Sequence, residues 1–146
     1  MKHRDFVIES DFTYKGIRCL VLAHVMGHRC GYCEVKKGHL LYGKGYAQSV
    51  NYHNTATTPG EMLNVHGGIT FSSEGKYPVK SDGWWFGFDC AHYGDAKDVT
   101  IMDEKHRKMF ETFTNWGRGR RIRKKTYVER ECRKLAKQLV AITQEE

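Results

Sequence analysis

Apolar and polar positions change their spacing near residue 100, dividing the chain into a strand-patterned first part and a helical last third. Phe6–Thr13 reads weakly as a first strand. Ile17–Met26 is an apolar run with β-branched residues, bounded by Gly16 and Gly27, which predicts a buried strand. A turn at Gly27-His28 would return Cys30–Val35 as its neighbour, ended by Lys36-Lys37-Gly38. Met62–His66 and Ile69–Ser72 read as two short strand pieces interrupted at Gly67-Gly68 by a bulge or a close approach. Ser73–Asp82 is a polar loop. Trp84–Cys90 is the strongest strand signal, with its aromatic residues alternating between faces. Gly87 within it leaves room for a group packed on the backbone.

Beyond residue 100 the period becomes helical. Met102, His106, Met109, Phe110 and Phe113 share one face, with Thr100 as the expected cap. A second helix is predicted from Thr126, whose hydroxyl would form a capping box with Glu129. Val128, Cys132, Leu135, Leu139 and Ile142 form its apolar stripe, spaced 4, 3, 4 and 3 residues apart. Gly38–Gly60 holds neither period and reads as a long ordered loop rich in tyrosine, glycine and threonine. The expected fold is α+β: a small, mostly antiparallel sheet with two C-terminal helices packed on it, in one compact domain over residues 1–146.

Composition narrows the classes. A chain of 146 residues can bury one core without disulfides or metals. No stretch of about 18 apolar residues predicts a membrane span, and no apolar leader follows the N-terminus, so cytoplasmic action is expected. Five cysteines make an awkward disulfide set. A formal net charge of +7 favours an anionic partner, such as a phosphorylated small molecule or nucleic acid. Six of the nine residues from Gly117 to Lys125 are basic. Trp116, Arg118, Arg120, Arg121 and Arg123 are the candidates for nucleic-acid or partner contact, with a solvated loop as the alternative.

Two short segments carry candidate chemistry. Asp89, His92 and Asp95 place carboxylate, imidazole and carboxylate just beyond an aromatic strand, where an exposed turn can aim them. His66 is the second anchor, and with these three it makes the candidate catalytic set. Gly67 and Gly68 could offer backbone N–H groups to an oxyanion, with Thr70, Tyr42 and Tyr46 as further ligand contacts. Whether His66 meets His92 decides whether an acid–base pair is feasible. His24, His28, Cys30, Cys33 and His39 are crowded enough to suggest zinc, but a lone CxxC on a strand points its sulfurs to opposite faces. No metal ligand set and no cofactor follow from the sequence.

The segments Cys30-Gly31-Tyr32, His66–Ser72 and Trp84–Asp95 resemble motifs of small uncharacterised bacteriophage and prophage proteins, and Tyr127-Val128 with Glu131-Cys132 fits the same pattern. The resemblance spans roughly Gly27 to Leu139. It implies action in the cytoplasm of a host bacterium and draws attention to His66, Asp89, His92 and Asp95, without selecting an activity. Three functions stay open: an accessory protein binding a small polar, nucleotide-derived ligand; a hydrolase with a His/Asp site, with or without metal; and an inhibitor of a host protein or nucleic acid, such as a host-defence antagonist.

Overall fold

The computed structural model describes residues 5–111 and 120–142. Its strands are β1 (Phe6–Tyr14), β2 (Ile17–His24), β3 (Arg29–Val35), β4 (Val50–Tyr52), β5 (Thr55–Thr57), β6 (Phe71–Glu74), β7 (Trp84–Asp89), β8 (Asp95–Ala96) and β9 (Arg121–Ile122). A four-residue turn of helix, α1, spans Pro59–Met62; α2 spans Glu104–Glu111 and α3 Lys125–Ala141. The class is α+β. The main sheet has five antiparallel strands in the order β1-β2-β3-β7-β6, beside the two-stranded pairs β4-β5 and β8-β9. Among the described residues, only β8 and β9 pair in parallel.

Both faces of the sheet are covered, which explains why β2 is apolar without alternation. Cys19 and Val21 of β2, Cys33 and Val35 of β3, and Phe86 and Phe88 of β7 face α3, which returns Val128, Cys132, Leu135, Ala136 and Leu139. Leu20, Leu22, Tyr32 and Trp85 face the other way, under Phe6, Phe71, Tyr77 and Val79. The strand aromatics divide between faces as alternation requires. Gly87 gives its space to the ring of Tyr32.

The α3 stripe is buried as its spacing predicts. The expected start is not: α3 begins one residue before Thr126, after Lys124, and no side chain caps it. Of the two C-terminal helices α3 carries the packing, because α2 buries no residue and Met109 is exposed. Met102 is buried, but it precedes α2. The N–H of His106 donates to Asp103, so Asp103 rather than Thr100 holds the first turn. Phe113 lies outside the described residues. Gly38–Gly60 is a loop interrupted by the β4-β5 hairpin and closed by Thr58, which accepts the Glu61 N–H as the cap of α1.

Residues 62–66 do not extend as a strand. Met62 and Leu63 bond back to Thr58 and Pro59, and the next donors go to side chains on one face of α3: the Asn64 N–H donates to Gln138 Oε1 at 2.7 Å and the His66 N–H to Glu131 Oε1 at 2.8 Å. The Gln138 amide donates back to the Asn64 carbonyl. A helix side-chain ladder thus takes the place of a neighbouring strand in satisfying the backbone.

Arg29 is the main polar tie. Its side chain is 7% exposed and pairs with Glu9 of β1 at 2.6 Å and with Asp98 at 2.9 Å. It also donates to the Arg123 carbonyl at 3.2 Å. No helix among the described residues is long and apolar enough to cross a membrane.

Packing is tight where β3 meets β7 and α3. A Cβ on Gly31 would collide with the Phe88 ring and with Cys132 Sγ, neither of which has room to retreat. Gly31→Ala should therefore lower unfolding free energy by about 1–3 kcal/mol, the usual cost of overpacking, read by urea denaturation.

Candidate active site

The segment after β7 folds back on itself through its own carboxylates. Asp89 Oδ1 accepts the Ala91 N–H at 3.1 Å, and Asp95 Oδ2 accepts the His92 N–H at 3.0 Å. The Asp95 N–H closes the turn on the His92 carbonyl at 3.0 Å. These bonds fix where His92 and Tyr93 project. Asp95 then enters β8, and β9 runs alongside it, with Arg121 N–H donating to the Gly94 carbonyl at 2.8 Å. That pairing brings the basic segment to the site.

His66, held on α3, meets this turn. Its Nε2 lies 2.9 and 3.0 Å from the two Asp95 oxygens, and its Nδ1 lies 2.7 Å from the Tyr127 hydroxyl. Arg123 Nε donates to Asp95 Oδ1 at 2.8 Å, and its guanidinium sits 4.9 Å from the Tyr127 ring centroid. The Asp95 side chain is 2% exposed. Burial alone would raise its pKa, but bonds from His66, Arg123 and the His92 backbone N–H outweigh it and hold the carboxyl below its usual 3.8. Burial, with the Glu131 charge second, raises the Tyr127 phenol, which stays protonated. The Asp95 carboxylate can only accept, so Nε2 donates to it, and in the neutral imidazole Nδ1 accepts from the Tyr127 hydroxyl.

His92 belongs to the second acid. Its Nε2 is 3.2 Å from Asp89 Oδ1, within ion-pair reach but off-line for a hydrogen bond, so this buried nitrogen has no hydrogen-bond partner. The His66 and His92 ring centroids are 6.2 Å apart. The four residues named from the sequence therefore converge as two His/Asp pairs, Asp95 with His66 and Asp89 with His92.

Gly67 explains the convergence. It and Gly68 take φ of +68° and +81°, and the space of a Gly67 Cβ is filled by the His92 ring. The Gly68 N–H donates to the Val65 carbonyl. Thr70 donates its N–H to Gly87 and its hydroxyl to Asp89. The glycine pair thus makes room for an imidazole, and Thr70 steadies an acid.

A half-open cavity of about 280 Å³ adjoins the turn, lined by His28, Cys90, His92, Tyr93, Asp95, Lys97 and Arg120 among others. Burial, then His24 and Lys97, push the His28 imidazole from 6.5 down to about 4, so it is neutral near pH 7, and its buried Nδ1 has no hydrogen-bond partner. Burial and the Asp95 charge raise the Cys90 thiol far above 9.0, which removes it as a thiolate nucleophile. Tyr42 and Tyr46 do not line this cavity. The Tyr42 hydroxyl donates to the Asp82 carbonyl, and the Tyr46 N–H to Ser72. Arg123 is engaged by Asp95, Arg120 lines the cavity and Arg121 is exposed; Trp116 and Arg118 lie outside the described residues.

No group of three or more His, Cys, Asp or Glu side chains among the described residues is arranged to hold a metal ion. Cys33 packs with Cys19 at 3.6 Å on the α3 side of the sheet, while Cys30 packs on the opposite side. The His39 Nε2 lies 2.8 Å from the Leu139 carbonyl at the end of α3. Sequence reasoning did not place Tyr127, Glu131 or Tyr93 in the site, and weighed His28 only as a zinc ligand. The α3 stripe offered one signal, since Tyr127 and Glu131 are four residues apart and share a face. Compared with protein-family models, curated proteins and solved structures, the chain finds no match.

The acid response should have two stages. The unfolded chain takes up a proton at a His28-type imidazole before the folded one does, so stability falls as pH drops from about 6.5 to about 4, with His24, also lowered, contributing. The Asp95 contribution is present above 3.8 and is lost as pH falls through its lowered folded value. Tm measured against pH should show both stages. His28→Gln should shrink the upper one and Asp95→Asn the lower.

Proposed function

We propose that the protein is a hydrolase of small phosphorylated substrates, with His92 as the base that activates water at the cavity. The observation that carries this reading is the pairing of each histidine with its own acid, with the two rings 6.2 Å apart beside a cationic cavity. His92 lines the cavity and its side chain is 37% exposed, against 13% for His66. A base must reach its water, which favours His92. It takes a proton from water as the oxygen attacks the substrate, and Asp89 stabilises the imidazolium that forms. The same imidazolium returns the proton to the departing oxygen, so no net proton is held. Arg120 and Lys97 on the cavity wall supply positive charge for an anionic substrate.

His66 has both ring nitrogens engaged and does not line the cavity. It acts through Asp95, whose carboxylate accepts the His92 N–H, and is a positioning residue for the turn. Any metal assistance is an open addition to this scheme. In the phage setting that the sequence resemblance implies, such an enzyme would remove a phosphorylated host molecule.

The same cavity also supports a non-catalytic reading, in which a small polar ligand is held and not cleaved. The lining favours it, because the side chains of His28, His92, Lys97 and Arg120 meet at one recess. Turnover separates the two. Purified protein is given p-nitrophenyl phosphate, ribose 5-phosphate and nucleoside mono- and triphosphates, and phosphate release is measured. His92→Ala should lower kcat about 100-fold or more while leaving Tm near that of the parent chain. His66→Ala should lower both kcat and Tm. Full turnover in His92→Ala would remove His92 as the base. Saturable binding without turnover would favour the ligand-holding reading.

A further inference from the structure

Tyr93 stands at the tip of the turn between Cys90 and Asp95 and is 95% exposed. Single exposed aromatics are ordinary on protein surfaces. Three features set this one apart. It lines the cavity that holds His92. Its backbone is fixed by the paired His92–Asp95 bonds, so the ring projects from a rigid turn rather than a loose loop. The Arg120 guanidinium lies 5.5 Å from its ring centroid, and Arg120 is itself positioned by the Arg121–Gly94 bond at the start of β9.

A rigid exposed ring beside an arginine, on the lip of a cationic polar recess, is the arrangement a nucleotide needs. A base stacks on an aromatic face with little dependence on its identity, and a guanidinium adds cation–π attraction and a partner for phosphate. The cavity of about 280 Å³ is at the small end of ligand pockets, which start near ~300 Å³. A sugar and phosphate fill such a recess and leave the base outside it, on the lip. His28 and His92 line the same recess.

We propose that Tyr93 and Arg120 form a base-stacking platform, so that the ligand of this site is a nucleotide unit whose phosphate enters the cavity beside His92. This rests on the cavity being the site of binding or hydrolysis, and it adds the substrate class. A nucleotide unit is presented equally by a free mononucleotide and by single-stranded nucleic acid, and the two are separated by test.

Calorimetric titration of the full chain, of Tyr93→Ala and of Tyr93→Phe would use AMP, ribose 5-phosphate and a short single-stranded oligoadenylate. The parent chain should bind AMP more tightly than ribose 5-phosphate. Tyr93→Ala should weaken AMP by about five- to a hundred-fold, the range of one base–aromatic stack, and leave ribose 5-phosphate within two-fold. Tyr93→Phe should retain AMP binding, since the ring is kept. Oligoadenylate binding more tightly than AMP, with the same loss in Tyr93→Ala, would assign the platform to single-stranded nucleic acid; AMP binding as tightly or more so would assign it to free nucleotides. Equal affinity for AMP and ribose 5-phosphate in the parent chain, an unchanged AMP affinity in Tyr93→Ala, or no AMP binding at millimolar concentration would each overturn the proposal. The hydrolase reading fails separately. Its failure is full turnover in His92→Ala, a readout that does not involve the stacking platform.

Discussion

The Asp95 carboxylate is the constraint on which the site depends. A buried carboxylate is costly unless its lone pairs are matched by donors, and loss of one partner leaves the rest of a network uncompensated. Here the donors come from three parts of the chain: His66 from the glycine turn, Arg123 from the segment before α3, and the His92 N–H from its own turn. One charge therefore sets the position of three segments that share no strand pairing in the main sheet. The β8-β9 pair adds two residues of ladder on each side, too little to hold alone, so the carboxylate and the ladder support each other.

The two His/Asp pairs are built for different work. His66 is saturated: acid on one nitrogen, phenol on the other, and its N–H on Glu131. An imidazole bonded in this way is a rigid strut with one tautomer. His92 is left short of a bond at Nε2, is more exposed, and is steadied by backbone bonds rather than ring bonds. A group that exchanges protons with a ligand must have that unfilled capacity, while the parts that aim it should have none. Gly67 links the two, since only the absence of a Cβ lets the His92 ring sit against the turn that carries His66.

The fold was legible where local pattern and tertiary burial agree. The β2 run, the Trp84–Asp89 strand and the α3 stripe bury what their spacing says they should. The sequence singled out His66, Asp89, His92 and Asp95, but left open whether the two glycine-bearing turns meet and which acid serves which histidine. Three things could not be read. Residues 62–66 alternate like a strand, but the partners of Asn64 and His66 are α3 side chains more than 60 positions away. Tyr127 resembled one more helix residue because its bond to His66 exists only after α3 docks. The capping box at Thr126 had the right spacing, yet the helix starts one residue too early for it to form.

The Arg29 clamp joins β1, the turn at Asp98 and the backbone at Arg123, so a single guanidinium spans from the first strand to the segment just before the last helix. Contacts of such wide sequence separation close late, after long loops have been ordered. A fragment that ends at β7 holds His66 but lacks Asp95, Arg123 and Tyr127, so none of the side-chain bonds that lock the His66 ring can form in it.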